Sequence, residues 1–114
     1  MYYLFLVVLE HCPYSNSALE IVKKNNINFK SLKIIQSEKE KYKTNEISTF
    51  PQIYLKKNGR NDSLLLGGCS DLEYFLNTFK NKEYDIKKVE EFQKKYSSWN
   101  KHSTLRLIEL INIK

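Results

Sequence analysis

A continuous apolar and aromatic run, YYLFLVVL at residues 2–9, dominates the start of this chain and ends abruptly at Glu10. Such a run is typical of a strand that is buried on both faces of a sheet. From Ser15 the apolar residues recur at helical spacing as far as the stop signal at residues 25–26, and residues 27–35 alternate like a second strand. Strand, helix and strand in this order predict two parallel strands with a helix between them.

The middle of the chain predicts a short helix, a hairpin and a third helix. Residues 37–48 are polar with one central aromatic, which indicates a short exposed helix. Pro51 begins a strand, the turn signal NGRND follows, and an apolar strand returns, so residues 51–67 predict a β-hairpin. After the hairpin, Ser70 or Asp71 is the expected N-cap of the next helix.

Beyond residue 80 the composition becomes richer in charge. An apolar stripe at three-and-four spacing predicts a helix packed on the rest of the protein, and its members are Ile86, Val89, Phe92, Tyr96 and Trp99. Residues 103–113 form a second apolar segment, which the pattern leaves open as helix or strand. We therefore expect one domain over residues 1–80 and a C-terminal extension over residues 81–114 that is helical and packed on it.

Charge and cysteine content exclude several classes of function. The net charge of +6 comes mainly from dispersed lysines, which is typical of a solvated surface, so we expect no nucleic-acid partner. The apolar start has no basic n-region and is too short to span a bilayer, so we expect no membrane partner. Two cysteines do not make a disulfide framework. We expect a monomer in the reducing cytoplasm.

Cys12 is the chemical candidate. It lies where the first strand ends and a helix begins, and the free N–H groups and positive dipole end of a helix favour a thiolate over a thiol. The alternative, a buried and inert cysteine, is disfavoured by the adjoining Pro13 and the polar Glu10 and His11. Ser15 stands where a second thiol would allow an internal disulfide, so the chemistry needs an external thiol. Ser15 is also a candidate cap for the helix.

Three stretches carry a family resemblance: CPYS at 12–15, TFPQIYL at 49–55 and GGCSDL at 67–72. Together with the order of the elements they resemble glutaredoxin, of the monothiol Cys-Pro-Tyr-Ser type. The resemblance covers residues 1–80. It implies an α/β thioredoxin-like fold with a central mixed four-stranded sheet flanked by helices, followed here by the helical extension.

The resemblance also implies a site and a reaction. Cys12 is then the catalytic nucleophile of a glutathione-dependent thiol–disulfide oxidoreductase that reduces protein–glutathione mixed disulfides. Pro51 is expected to follow a cis peptide bond, and the Phe50 backbone to pair with the cysteinyl part of glutathione. Asp71 is expected to hold the ammonium group of glutathione, and Cys69 to be a small packing residue. The residues that the resemblance implies for glutathione binding are Tyr14, Thr49, Phe50, Pro51, Gly68, Cys69, Ser70 and Asp71.

Two positions depart from the family pattern. Many glutaredoxins carry a base three residues before the active cysteine and another just before the Thr-Val-Pro motif, where this chain has Leu9 and Ser48. Both bases would give charge-assisted contacts to glutathione. Lys41 and Lys43 are candidates to supply the missing cation. The acidic Glu10 acts in the opposite direction, because a nearby negative charge disfavours the thiolate form of Cys12.

Three functions stay open at this point. The first is the glutathione-dependent oxidoreductase, with glutathione as co-substrate and with glutathionylated or disulfide-bearing proteins as partners. The second is a dimer that bridges a [2Fe–2S] cluster through Cys12 of each copy, with no other metal ligand in the chain. The third is a non-enzymatic adaptor in which Cys12 is vestigial.

Overall fold

The chain alternates strands and helices and then ends in consecutive helices. The computed structural model describes residues 1–113. Within them, no helix has the length and apolar character needed to cross a bilayer. The elements in chain order are β1 (Tyr2–Leu9), α1 (Pro13–Lys24), β2 (Phe29–Ile34), α2 (Lys39–Tyr42), β3 (Gln52–Lys57), β4 (Ser63–Gly67), α3 (Cys69–Phe79), α4 (Ile86–Lys95) and α5 (Lys101–Ile111).

The four strands form one mixed sheet in the order β2-β1-β3-β4. Strand β1 runs parallel to β2 and antiparallel to β3, and β3 pairs antiparallel with β4. The hairpin turns at Gly59, whose positive φ of 81° favours glycine. The predicted thioredoxin-like sheet, its parallel first pair and the hairpin over residues 51–67 are therefore confirmed.

Strand β1 is buried on both faces, as its continuous apolar run predicts. Leu4, Leu6 and Val8 belong to the main core, which also takes in residues from α1, α3, α4 and α5. The alternate side chains point to the other face of the sheet, where a smaller cluster is made of Val7, Leu9, Ile34 and Phe50.

The C-terminal helices share the main core. Phe92 of α4 is fully buried and is the centre of an aromatic cluster. Each pair of packed aromatic rings in this cluster adds about 0.5–1.5 kcal/mol of stabilisation beyond that from burying the apolar area of the rings. The residue boundary expected at 80 stays a prediction, since the cluster joins side chains from both sides of it. The rings packed against Phe92, at centroid separations from 4.5 Å to 6.1 Å, are those of Phe75, Phe79, Tyr96 and Trp99.

The structure decides the segment that the sequence left open and corrects part of the apolar stripe. Residues 103–113 are helical as far as the end of α5. Ile86 lies at the first position of α4 and is 39% exposed, so its place in the buried stripe was wrong. Helix α4 ends at Lys95, so Tyr96 and Trp99 reach the core from the turn that follows the helix.

The helix predicted over residues 37–48 is wrong in extent. A short 3₁₀ turn leads into α2, which contains only four residues, Lys39–Tyr42. The Oγ1 atom of Thr44 accepts hydrogen bonds from the backbone N–H groups of Glu46 and Ile47, at 3.2 Å and 3.0 Å. This side-chain turn competes with helical hydrogen bonding, so the helix stops before it.

Candidate active site

Cys12 lies at the N-cap of α1 and is partly exposed. Pro13 follows as the first helical residue, where a missing N–H costs nothing, so the helix begins before the Ser15 start that the spacing predicts. The Cys12 thiol lies 3.8 Å from the carbonyl oxygen of Phe50, to which it can donate. In the described part of the chain no side chain caps this helix, so its positive end faces the sulfur.

Ser15 does not cap the helix. It is completely buried, and its Oγ atom accepts a hydrogen bond from the backbone N–H of Leu9 at 3.1 Å. The capping role considered for Ser15 was therefore wrong. The hydroxyl instead ties the first turn of α1 to the last residue of β1.

The Phe50–Pro51 peptide bond is cis, as expected. Both residues are buried, and β3 begins directly after them at Gln52. The Phe50 carbonyl thereby stands beside the Cys12 sulfur, which joins two stretches that are far apart in the sequence.

The third stretch folds differently from the predicted cap. Gly68 is the N-cap of α3, so the expectation of Ser70 or Asp71 at this position was wrong. Asp71 lies one turn into the helix, and its Oδ2 atom accepts the Gly68 N–H at 2.8 Å. Gly67 has φ +135°, and a Cβ atom built on it would overlap the Asp71 carboxylate. A glycine at 67 is therefore what lets Asp71 reach back over the start of α3.

A cleft of about 600 Å³ brings the candidate ligand residues together. Cys12 lies beside this cleft, since its sulfur contacts Phe50, which forms part of the wall. Residues that sequence reasoning did not identify also contribute, among them Glu46, Leu65 and Glu73. The expected residues that line the cleft are Tyr14, Thr49, Phe50, Pro51, Gly68, Cys69, Ser70 and Asp71.

The charged residues of the cleft are acidic. Glu46, Asp71 and Glu73 line it, and none of the residues found in its wall within 1–113 is a lysine or an arginine. The remaining attraction for an anion comes from the backbone N–H groups in the first turn of α3, which have no partner within the helix. The cleft therefore favours cationic groups over anionic ones.

The candidate cations do not reach the cleft. Lys43 pairs with Glu40 at 2.7 Å, and Lys41 is exposed; neither lines the cleft. Leu9 is buried in the smaller cluster and Ser48 is exposed. The prediction that Lys41 or Lys43 replaces the basic residues of the family pattern was thus wrong, because neither lysine lines the cleft.

Glu10, which was expected to influence the Cys12 thiol, is hydrogen-bonded to Gln36. Its Oε1 atom accepts the backbone N–H of Gln36 at 3.2 Å, and its carbonyl oxygen accepts from the Gln36 side chain at 3.0 Å. These bonds hold Glu10 at the end of β2. His11 is exposed and adopts a left-handed φ of 57°.

Cys69 is a poor nucleophile. Its side chain is buried, and the thiol contacts Glu73 Oε1 at 3.5 Å. Burial, and then the neighbouring Glu73, raise the pKa of the Cys69 thiol to about 11. At neutral pH the group is a neutral thiol, which supports its interpretation as a packing residue.

Tyr96 contacts a residue of the cleft wall, Asp71, and this contact was not predicted from the sequence. Its hydroxyl donates to Asp71 Oδ1 at 2.6 Å. Burial, and then the Asp71 carboxylate, raise the pKa of Tyr96 above its usual range, so the phenol stays protonated at neutral pH. The sequence signal was present, because Tyr96 belongs to the apolar stripe of the extension, but it was interpreted only as core.

The described residues offer few groups for a metal. Within 1–113, no three His, Cys, Asp or Glu side chains are placed to hold an ion together. The accessible soft ligand of the site is the Cys12 sulfur, because Cys69 is buried. A bridged cluster would therefore need ligands from outside one chain.

Comparison with known proteins adds the family. The Glutaredoxin family model matches residues 1–59, which contain Cys12 and the cis Pro51. The chain belongs to the glutaredoxin family. Glutaredoxin 1 of Rickettsia prowazekii (strain Madrid E) is 32% identical over 74 residues, which cover 60% of this chain and 72% of that protein. Glutaredoxins are thiol–disulfide oxidoreductases that generally use glutathione, so the family supports a redox role for this cleft.

A solved glutaredoxin structure supports the fold. The crystal structure of Glutaredoxin 1 from Francisella tularensis, complexed with cacodylate, aligns with a TM-score of 0.57 and 24% identity. The alignment covers 72% of this chain and 100% of that one. At this identity it shows the shared thioredoxin-like fold.

Proposed function

We propose that this glutaredoxin reduces mixed disulfides between proteins and glutathione by a monothiol route in the cytoplasm, with Cys12 as the nucleophile. The observation that carries the proposal is the placement of the Cys12 sulfur at a helix N-terminus, 3.8 Å from the Phe50 carbonyl at the edge of the cleft. That placement joins an accessible thiol to a groove that can accept an extended peptide.

The first step is attack of the Cys12 thiolate on the glutathione sulfur of the mixed disulfide. The protein–glutathione S–S bond breaks, an S–S bond forms between Cys12 and glutathione, and the protein leaves as a thiolate that takes a proton from water. The Phe50 backbone and the first turn of α3 hold the glutathionyl unit for this attack. Gly68, Ser70 and Asp71 belong to that turn or its cap.

The second step needs an external thiol. Ser15 has a hydroxyl and is buried against Leu9, so it cannot resolve the intermediate. A second glutathione thiolate attacks the sulfur of the bound glutathione, which releases the Cys12 thiolate and forms glutathione disulfide. Each turnover therefore consumes one glutathione thiol, and the other half of the glutathione disulfide comes from the mixed disulfide itself, so two S–S bonds break and two form.

The test is glutathione-dependent reduction of a glutathionylated peptide, coupled to NADPH through glutathione reductase. We expect turnover by the wild type and loss of turnover in Cys12→Ser. Ser17→Ala, an exposed residue of the same helix, is the matched control and should keep the wild-type rate. Turnover that survives Cys12→Ser would contradict the proposal.

The acidic lining favours one second candidate, a non-enzymatic adaptor. Glutathione carries two carboxylates, and the cleft presents Glu46, Asp71 and Glu73 without a lysine or arginine among its described lining residues. The same assay separates the two functions. A folded wild-type protein with no turnover, together with binding of a partner protein that survives Cys12→Ser, would favour the adaptor.

A further inference from the structure

We propose that Tyr96 of the C-terminal extension is a specificity-determining residue, which weakens recognition of the amino group of glutathione by engaging Asp71. The inference rests on the proposed function and deepens it. It concerns the γ-glutamyl end of the ligand, whose ammonium group the family resemblance assigns to Asp71.

Both oxygens of the Asp71 carboxylate already accept strong donors. Oδ2 accepts the Gly68 N–H at 2.8 Å, and Oδ1 accepts the Tyr96 hydroxyl at 2.6 Å. The backbone bond belongs to the cap of α3, whereas the phenol comes from a different part of the chain. Each donor withdraws negative charge from the carboxylate and occupies a lone pair, so an incoming ammonium group meets a weaker acceptor.

The phenol is held in this position. Its ring stacks on Phe92 with centroids 4.5 Å apart and planes at 22°, and Phe92 is fully buried. The ring also stacks on Tyr74 at 6.1 Å. Moving the Tyr96 hydroxyl away from Asp71 would therefore disturb the aromatic core, so a ligand cannot displace it at low cost.

A second contact fixes the same turn against the cleft. The Trp99 side chain is buried and its Nε1–H donates to the Leu65 carbonyl oxygen at 2.8 Å. Leu65 belongs to β4 and lines the cleft. The turn from Tyr96 to Trp99 is thus bonded to two residues that line the cleft, Asp71 and Leu65, which makes the extension part of the site's construction.

The experiment compares two ligands that differ only in the amino group. The ligands are S-methylglutathione and glutaryl-S-methylcysteinylglycine, of which the second lacks the γ-glutamyl amine. Neither can undergo disulfide exchange, because its cysteine sulfur is methylated. Their Kd values are measured by NMR titration in the Cys12→Ser protein, with and without Tyr96→Phe. The amide spectrum verifies that the variant is folded, since phenylalanine keeps the stacked ring.

We expect Tyr96→Phe to raise the preference for S-methylglutathione over the amine-free ligand by at least about threefold, because the carboxylate regains acceptor capacity. Tyr74→Phe is the matched control. It removes a hydroxyl from the stacked neighbour, and within residues 1–113 that hydroxyl makes no hydrogen bond to Asp71. The control should leave the preference unchanged.

The remaining outcomes are distinct. A preference that stays constant or falls in Tyr96→Phe, or Kd values that change equally for both ligands, would overturn the role of Tyr96 while the proposed function stands. If S-methylglutathione binds neither protein, the glutathione site itself is refuted, and the inference falls with it.

Discussion

The Ser15 hydroxyl oxygen accepts the backbone N–H of Leu9 at 3.1 Å, and both residues are buried. Ser15 stands where dithiol glutaredoxins carry a second cysteine, and Leu9 stands where many glutaredoxins carry a basic residue. The hydrogen bond shows that Ser15 and Leu9 are in direct contact and share one structural role. The Ser15 hydroxyl is the hydrogen-bond acceptor for the N–H group of the last residue of β1, and the Leu9 side chain packs in the smaller cluster.

Ser15→Ala should destabilise the protein. The substitution leaves the buried Leu9 N–H without its partner, and an unsatisfied buried donor costs about 1–3 kcal/mol. Urea unfolding followed by circular dichroism measures the loss in the free energy of unfolding. Ser17→Ala, on the exposed side of α1, should change it by less than about 0.5 kcal/mol. Equal effects at both positions would contradict the structural role of the Ser15 hydroxyl.

A basic residue should strengthen glutathione binding when it is introduced at Ser48, and should destabilise the fold when it is introduced at Leu9. Ser48 is exposed, so Ser48→Lys adds a cation near the cleft with little change in stability. An exposed ion pair contributes about 0.2–1 kcal/mol, which predicts a decrease of about 1.5- to 5-fold in the Kd for glutathione at low salt. Leu9 is only 6% exposed, so Leu9→Lys buries an unpaired charge and should unfold or strongly destabilise the protein.

The charge-reversed variant gives the control for that comparison. Ser48→Glu should raise the Kd for glutathione, and added salt should reduce the difference between the two Ser48 variants. A fully stable Leu9→Lys protein with tighter glutathione binding would show that Leu9 is not confined to the core as described.

Trp99→Phe should weaken the attachment of the extension. It keeps an aromatic ring against Phe92 but removes the hydrogen bond from Nε1 to the Leu65 carbonyl. We expect a loss of about 1–3 kcal/mol in the free energy of unfolding, measured by urea denaturation. Tyr84→Phe, at a 59% exposed aromatic residue, is the control and should have little effect. An unchanged midpoint in Trp99→Phe would argue against the bond to β4.

Alkaline pH should destabilise the fold through Cys69. Its pKa in the folded protein is about 11 against an ordinary value of 9.0. The unfolded chain therefore loses the proton first, so the stabilising contribution is complete below pH 9 and is lost as pH rises toward 11. Over that window we expect the wild type to lose about 2 kcal/mol more than Cys69→Ala.

Urea denaturation at a series of alkaline pH values tests the titration of Cys69. The slope of stability against pH is the relevant quantity, since Cys69→Ala also leaves a small cavity that shifts the whole curve. Tyr96, whose pKa is likewise raised in the folded state, adds to the loss at the upper end of the range. Parallel curves for wild type and Cys69→Ala would refute the assignment to Cys69.

Much of the fold follows from local pattern. The apolar run of β1, the helical spacing after it and the NGRND turn each reflect short-range chemistry, and the parallel pairing of the first two strands follows from connection rules. Local competition limited accuracy at element ends. The Thr44 side-chain turn ended the short helix early, and α3 is capped at Gly68 where the pattern predicted Ser70 or Asp71.

From the sequence alone, short motifs predicted Cys12 as the nucleophile and an external thiol as its partner, and the family resemblance predicted eight of the residues that line the cleft. Only the tertiary structure decided which long-range hydrogen bonds hold the residues in and beside the cleft. The Tyr96–Asp71 bond spans 25 positions, and the Ser15–Leu9 bond joins a helix to a strand. Hydrogen bonds of this kind depend on how elements pack, and no local periodicity encodes that packing.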